Sequence, residues 1–421
     1  MRVVVAGAGI AGLTAAAGFA RDGHDVTILE RRLDTTSGTA ITLWPNALAA
    51  LDAIDVGVDV RAASERVSGG AMRWCDGSWI RRPDRDAVLQ ALGEPLSVLR
   101  RVDLTEVLTR ATAGATRLRS GVAAVSARTE RGRAIVGIAD GEDLDADLVV
   151  VADGIGSRLI HGFNPGLAAR YTGASAWRGI AETRIDPELA GQVLGPGVEF
   201  GAVPLPNGRT YWFASRRLPE GTIFDNEHAE VSRLGEGWPT PIGEVIAATP
   251  PESLMRTDLY DRSTARRWYD GRVVALGDAV HPMRPHLGQG GCQAIEDAAV
   301  LTGALRGGVP VGSALAVYQR IRRPRVRRVV MESRAVGRAV SARPVRLSGA
   351  AIRASRALPD ALMLRHLASI AGSEAFARQW RLLVRQHRGG MAHQMHGPAA
   401  VPLRPVQTWC PRQDSNLRPR D

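Results

Sequence analysis

The sequence predicts an α/β chain in which a parallel sheet is interrupted by an inserted antiparallel sheet and followed by a helical C-terminal region. Three observations predict it. The first thirty residues alternate strand, helix and strand around a glycine-rich turn. Two further short apolar runs, 148–152 (LVVVA) and 272–276 (RVVAL), each lead into a turn that contains glycine. Between Arg178 and Trp268 the composition shifts to short strands separated by Pro and Gly, with no long amphipathic helix.

Taken in order, residues 3–6 read as a buried strand, 13–21 as a helix ended by Gly23, and 25–29 as the next strand. Residues 200–215 (FGAVPLPNGRTYWFAS) read as a hairpin turning at Pro206-Asn207-Gly208. From Val311 onward the chain becomes helical and rich in arginine, and after about Gly389 it loses periodicity. The final stretch, 407–421 (QTWCPRQDSNLRPRD), resembles the product of a transfer-RNA gene translated by mistake, and no function is assigned to it.

The bulk numbers bound the function. A chain of 421 residues has material for two or three domains, and 45% apolar residues fit an ordinary globular protein. No apolar run approaches the roughly 20 residues needed to span a bilayer, and the N-terminus shows no cleavable signal pattern, so a cytoplasmic protein with no membrane span is expected. Cys75, Cys292 and Cys410 are too far apart for a metal site, and none is expected. The net charge of +11 suggests an acidic partner, yet the chain contains no lysine, which points to a GC-rich genome rather than a binding surface. The surplus is also local: residues 319–356 hold twelve arginines and one acid, Glu332. A solvated arginine face is the expectation, and nucleic-acid binding is not, because no recognised module accompanies the charge.

Three motifs carry the chemistry. The first is Gly7-Ala8-Gly9-Ile10-Ala11-Gly12, between the first strand and helix. Gly7 allows the tight turn, Gly9 the approach of a pyrophosphate, and Gly12 close packing of helix on strand, with the helix N–H groups aimed at phosphate. Glu30 ends the second strand eighteen residues later, where a carboxylate accepts ribose hydroxyls. Arg31 and Arg32 follow, but an acid in that position disfavours a 2′-phosphate, so FAD or NAD is favoured over NADP at this site. The second motif, Asp153-Gly154-Ile155-Gly156-Ser157-Arg158, is by itself only a turn. The third is 277–298, GDAVHPMRPHLGQGGCQAIEDA. Here Gly277 and Asp278 follow a buried strand, and Gly288, Gly290 and Gly291 lead into an apolar helix whose N-terminus favours negative charge, as on a reduced flavin.

The order of these motifs resembles the FAD-dependent aromatic hydroxylases related to para-hydroxybenzoate hydroxylase, nearest to the salicylate, 3-hydroxybenzoate and urate hydroxylase branch with its zeaxanthin epoxidase relatives. The resemblance covers roughly residues 1–335. It implies a Rossmann-like FAD-binding domain (1–69, 98–172 and 269–320), an inserted antiparallel-sheet substrate domain (70–97 and 173–268), a C-terminal helical region (321–389) and a disordered tail (390–421). It further implies that Glu30 holds the adenosine ribose and Asp278 the ribityl chain. Asp153 and Gly154 would serve flavin and nicotinamide, and Pro285, Gly288, Gly290 and Gly291 would lie against the isoalloxazine. Arg101 matches the arginine that contacts the FAD pyrophosphate. The residues agree, since a helix begins at or just after Arg101 and a cation there needs an anionic partner. Residues 41–51 (ITLWPNALAAL) resemble the segment beneath the flavin.

By the same resemblance, NADH or NADPH reduces non-covalently bound FAD, O2 adds at C4a, and the hydroperoxide hydroxylates a small aromatic substrate. The sequence leaves the nicotinamide and the oligomeric state, monomer or homodimer, open. No Ser-His-Asp set competes for the chemistry, and His281 is expected to order its loop. Substrate contacts are expected from Trp177, Arg178, Tyr211 and Trp212, with core packing the alternative for at least one tryptophan. Tyr211 and Arg178 are the weak candidates for a catalytic role. Two departures stand out. Cys292 replaces an asparagine common among relatives, although cysteine also occurs in the urate-hydroxylase-like branch, and Glu199 stands near where urate hydroxylases pair an arginine with the tyrosine matching Tyr211, which counts against urate. Two other functions stay open: an epoxidase or oxidative tailoring enzyme on a larger polyketide or terpenoid, and a flavin-binding sensor without turnover.

Overall fold

A computed structural model describes residues 1–33, 39–340 and 345–392. The 407–421 peptide and the rest of the chain after residue 392 lie outside the described residues, whereas residues 390–392 end the helix Ser373–Ala392.

Six strands form the first sheet, in the order Tyr269–Asp270, Val273–Ala275, Leu148–Val151, Arg2–Ala6, Asp25–Glu30 and Thr116–Ser120. Arg2–Ala6 is central, parallel to both Leu148–Val151 and Asp25–Glu30, and Val273–Ala275 adds parallel to Leu148–Val151. Val3, Val5 and Leu148 through Val151 are at most 1% exposed. A strand covered on both faces needs this run of apolar residues rather than alternation. Parallel pairing also sends the loops after the first, Leu148–Val151 and Val273–Ala275 strands to one edge, which places the three glycine motifs together. Helix Ile10–Arg21 packs beside the central helix Gly290–Ala304, which is buried from Cys292 to Ala304.

Seven strands form the second sheet, in the order Met255–Asp261, Arg170–Ala181, Arg209–Arg217, Val198–Leu205, Gly191–Gly195, Ala71–Trp74 and Trp79–Arg81. Antiparallel pairing dominates, but Gly191–Gly195 runs parallel to Ala71–Trp74, a pair the sequence did not anticipate. The expected hairpin is present: Val198–Leu205 and Arg209–Arg217 are joined where Asn207 and Gly208 both take positive φ, as Asn-Gly permits. A small sheet of Ala40–Leu43, Leu96–Arg100 and Glu65–Val67 lies between the two bodies.

Helices Val311–Val340, Val345–Ala354, Asp360–Ala371 and Ser373–Ala392 close the described chain. Here one expectation is corrected, because the arginine-rich segment is not a purely solvated face. Arg322 is fully buried, and its Nε donates to Asp297 Oδ1 at 2.7 Å while Nη2 donates to Gln293 Oε1 at 2.8 Å. Arg325 forks onto Glu296 at 2.9 and 2.8 Å. Two acids on an otherwise apolar buried helix require cations, and the next helix supplies them.

Candidate functional site

The three glycine motifs meet at the edge of the six-stranded sheet. Gly7 has φ +108, and a Cβ there would lie 2.5 Å from Ala152 O; at Gly12 it would lie 1.9 Å from Gly7 O. Both are glycine because backbone crowds them. Gly9 and Gly154 differ, having no protein atom within 4 Å of the Cβ position. Those two glycines leave a cradle that a side chain would fill, and a diphosphate-bearing cofactor fits it. Glu30 Oε2 accepts from Ala8 N at 2.7 Å and Oε1 from Arg32 N at 2.9 Å, which ties the strand end to the loop. Arg31 beside it is exposed, and Ala11 packs under Gly277.

Two carboxylates line the groove. Asp153 and Asp278 are both exposed at its mouth, yet protein flanks them closely enough that desolvation raises both pKa values. Ser157 and Arg262 nearby offset part of this at Asp153; His281, Arg101 and Arg262 do so at Asp278. Their loops are held by groups that the sequence did not single out. Arg262, 3% exposed, donates from Nη1 to Ile155 O at 3.0 Å and from Nη2 to Asp278 O at 3.1 Å, linking the second and third motifs. Asp297 Oδ2 accepts from Gly277 N at 2.9 Å and lies 2.5 Å from His281 Nε2. His281 is fully buried and orders this loop, in line with the sequence expectation.

The third loop continues through the exposed Pro285 to Gly288 (φ +59), where a Cβ would lie 3.1 Å from Trp44 Nε1. The helix then begins at Gly290, and a Cβ on Gly291 would lie 2.8 Å from Ile41 Cδ1. Gln289 is buried and accepts from Asn46 Nδ2 and Gln293 Nε2, each at 3.0 Å. Asn46 Nδ2 also donates to Glu296 Oε1 at 2.6 Å. Burial alone would raise the Glu296 pKa, but Arg325 and Arg322 outweigh it and hold the carboxyl well below the usual range. The segment 41–51 is thereby fixed beneath the loop. Burial pushes the Cys292 thiol up to about 12, so this sulfur is an inert packing group.

The second sheet brings its own residues to the groove. Arg101 starts the helix Arg101–Ala111, as expected; it is exposed in the groove, yet the protein packed around it and Arg178 disfavour its charge, while Asp278 and Tyr211 favour it. Thr39 and Arg178 flank the Tyr211 hydroxyl and favour its charged form, but burial outweighs them and raises its pKa. Arg178 Nη1 donates to Thr257 Oγ1 at 2.7 Å. Arg101, Arg178, Tyr211 and Asp278 thus form one electrostatic cluster where the two bodies meet. Glu199 shares the sheet face of Arg178 and Tyr211, 3% exposed, accepting from Ser215 Oγ at 3.1 Å and lying 3.1 Å from His286 Nδ1 in the third loop.

Trp177 and Trp212 are corrected. Their neighbours Arg178 and Tyr211 face the groove, and successive strand residues point to opposite faces. Both tryptophans are fully buried on the other face, against Val231, Ile242, Val245 and Ile246. Trp177 Nε1 donates to Glu227 Oε2 and Trp212 Nε1 to Thr249 Oγ1, both at 2.7 Å, and Trp212 stacks on Phe200 at 5.4 Å. They are core residues. Among the described residues no cluster of three or more His, Cys, Asp or Glu side chains is arranged to hold a metal, and no helix is long and apolar enough to cross a membrane.

Comparison with known proteins agrees with this geometry. Residues 1–333 match the family model described as the FAD binding domain. The chain is 35% identical over 341 residues to aurachin C monooxygenase/isomerase of Stigmatella aurantiaca, covering 80% of this chain and 89% of that protein. It is 32% identical over 353 residues to the chloroplastic zeaxanthin epoxidase of Nicotiana plumbaginifolia, covering 77% of this chain but only 53% of that longer protein. The crystal structure of Klebsiella pneumoniae HpxO complexed with FAD and uric acid superposes with a TM-score of 0.80 at 27% identity, covering 88% of this chain and 96% of that one.

Proposed function

The chain belongs to the FAD binding domain family, which here joins it to FAD-dependent monooxygenases, and on that premise we propose that it hydroxylates an aromatic substrate with NADH or NADPH and O2. FAD, when bound, supplies hydride acceptance and oxygen activation. The chain's own residues bind, orient and exclude water. Gly7, Gly9, Ala11 and Gly12, with Arg101, cradle the pyrophosphate. Glu30, next to Arg31, takes the adenosine ribose and Asp278 the ribityl hydroxyls. Asp153 and Gly154, with Gly277, Pro285, Gly288, Gly290 and Gly291, shape the edge where flavin and nicotinamide meet.

The observation that carries the reading is the cluster of Arg101, Arg178 and Tyr211 beside Asp278, at the junction of glycine loops and sheet. With Arg101 turned to the pyrophosphate, the Arg178 guanidinium beside Tyr211 favours a substrate oxygen bearing negative charge, as a phenol acquires on activation. The raised pKa of Tyr211 keeps its proton on the hydroxyl oxygen, held by Thr39 and Arg178 as a neutral positioning group. Glu199 lies on the same sheet face, engaged by Ser215 and His286, near the place where urate hydroxylases carry an arginine, and that exchange counts against urate.

Similarity to zeaxanthin epoxidase and aurachin C monooxygenase/isomerase favours a second reading, an epoxidase or oxidative tailoring enzyme acting on a larger polyketide or terpenoid. Consumption of NADH and NADPH with a panel of phenols and larger polyketide or terpenoid compounds tests both readings when combined with product mass. Addition of one oxygen to a phenol supports hydroxylation, and a product trapped by thiol addition supports epoxidation. No stimulated oxidation by any compound would leave a flavin-binding sensor.

A further inference from the structure

Two glycines of the second sheet lie under aromatic rings, one on each face. Gly179 pairs with Trp212, and a Cβ there would lie 2.7 Å from Trp212 Cε2. Gly201 pairs with Phe213, and a Cβ there would run into Cε1 and Cζ of the Phe213 ring. Neither glycine takes positive φ, so the backbone does not call for them, and glycine inside a strand otherwise weakens it. What each supplies is room for a ring to lie flat on the sheet.

The two rings differ in what covers them. Trp212 is fully buried on the core face. Phe213, two residues from Tyr211, shares the groove face and is only half-buried, although its strand lies between Arg170–Ala181 and Val198–Leu205 inside the sheet. The neighbours on that face repeat the pattern: Arg178 opposite Phe213, and Ile180 and Val203 flanking Tyr211, are half-buried too. One row further, Ala176, Ser215 and Glu199 are at most 5% exposed and close the face. The third loop lies over this face, since His286 meets Glu199, and its Met283 and Leu287 are partly buried members of the same apolar cluster. Interior strands whose side chains stay partly exposed beneath a covering loop face a hollow.

We infer that this hollow takes a planar aromatic ring stacked on Phe213, with the ring's oxygen toward Arg178 and Tyr211. The Tyr211 and Phe213 centroids are 6.4 Å apart, and Arg178 is the direct cross-strand neighbour of Phe213, so a ring on this platform has both polar groups at its edge. Phe213 then supplies the aromatic contact expected from Trp177 and Trp212, and Gly201 lets its ring lie flat. The inference rests on the groove being the substrate site. It narrows the substrate to planar aromatics and makes Phe213 the residue that selects them.

The test is titration of the full-length, FAD-loaded protein with 2-naphthol and with its saturated counterpart decahydro-2-naphthol, followed by the flavin absorption spectrum without nicotinamide. Wild type is expected to bind 2-naphthol more tightly. Phe213→Leu should shrink that preference by about two- to tenfold at unchanged FAD content, the range of one aromatic pair. The ionisable oxygen of 2-naphthol contributes in both proteins, so the change in preference isolates the ring contact. Phe213→Tyr keeps the platform and should retain the preference. Gly201→Ala displaces the ring and should reduce it as Phe213→Leu does, which keeps the test open if the leucine variant folds poorly. A preference that survives both Phe213→Leu and Gly201→Ala overturns the proposal. So does a wild-type flavin spectrum that 2-naphthol leaves unchanged up to its solubility limit. A Phe213-dependent preference without stimulated nicotinamide oxidation by any aromatic compound would refute hydroxylation and uphold the platform. Stimulated oxidation with a preference independent of Phe213 would do the reverse.

Discussion

Gly9→Ala and Gly12→Ala change the same motif by one methyl group each and should fail in opposite ways. Gly9 sits at the helix N-cap with φ −73 and ψ 179, which alanine adopts without strain, and no protein atom lies within 4 Å of the new Cβ. Losing unfolded-state freedom favours alanine by about 0.4–1 kcal/mol, and the poorer N-cap opposes it by a similar amount. Stability without cofactor should therefore move by less than about 1 kcal/mol. The methyl group instead fills the cradle, and FAD affinity should fall tenfold or more, about 1.4 kcal/mol. Gly12 is the reverse. Alanine gains about 1 kcal/mol of helix propensity, but its Cβ meets Gly7 O at 1.9 Å, so helix and strand must separate. Overpacking of this kind costs about 1–3 kcal/mol or more, and each kcal/mol lowers the midpoint by roughly 2–4 °C in a domain of this size. The assay is flavin content per protein and thermal unfolding of flavin-stripped samples. Wild-type FAD affinity in Gly9→Ala, or equal loss of stability in both variants, would refute the cradle.

Other predictions follow from buried charge and from the groove. Arg322→Met removes the fully buried guanidinium shared by Glu296 and Asp297, leaving Arg325 to the first and His281 to the second, and should cost about 3–5 kcal/mol, measured by denaturant unfolding. The Glu296 pKa is depressed in the folded state, so its stabilisation is present above the unfolded carboxyl value of about 4.3 and is lost as pH falls below it. Glu296→Gln should accordingly lower stability at neutral pH yet flatten its dependence between about pH 5 and pH 3, and an unchanged acid limb would contradict the assignment. Arg262→Met should loosen both carboxylate loops and weaken FAD binding, read by flavin fluorescence on titration. Tyr211→Phe and Arg178→Ala should weaken substrate binding and raise uncoupled peroxide release; if both stay at wild-type values, the proposed substrate end is misplaced.

Local patterns in the sequence carried the strands and their loops. The 148–152 and 272–276 runs, like 3–6, are too apolar for a half-exposed sheet, and each is followed by a glycine that closes a turn. Arg101 was also legible, as a cation at a helix start without an evident partner. The strand faces were not. Trp177 and Arg178 are adjacent, as are Tyr211 and Trp212, so one of each pair had to face away, but which one depends on register, and a slip of one residue reverses the answer. Long-range pairs were equally hidden. Arg262 looks like any arginine after a strand until it bridges Ile155 and Asp278, and Glu199 meets His286 from 87 positions away. One signal was overlooked: Glu296 and Asp297 stand side by side in an apolar helix, and buried acids demand partners, which makes arginines such as Arg322 candidates for the core.

The central claim is that bound FAD activates O2 for insertion into an organic substrate. Turnover under isotopically labelled O2, with a compound that stimulates NAD(P)H oxidation, tests it most directly. One labelled oxygen atom in the product, with the other leaving as water, is the predicted result. Nicotinamide oxidation that yields only peroxide with every compound that binds, or a product oxygen drawn from water, would contradict it.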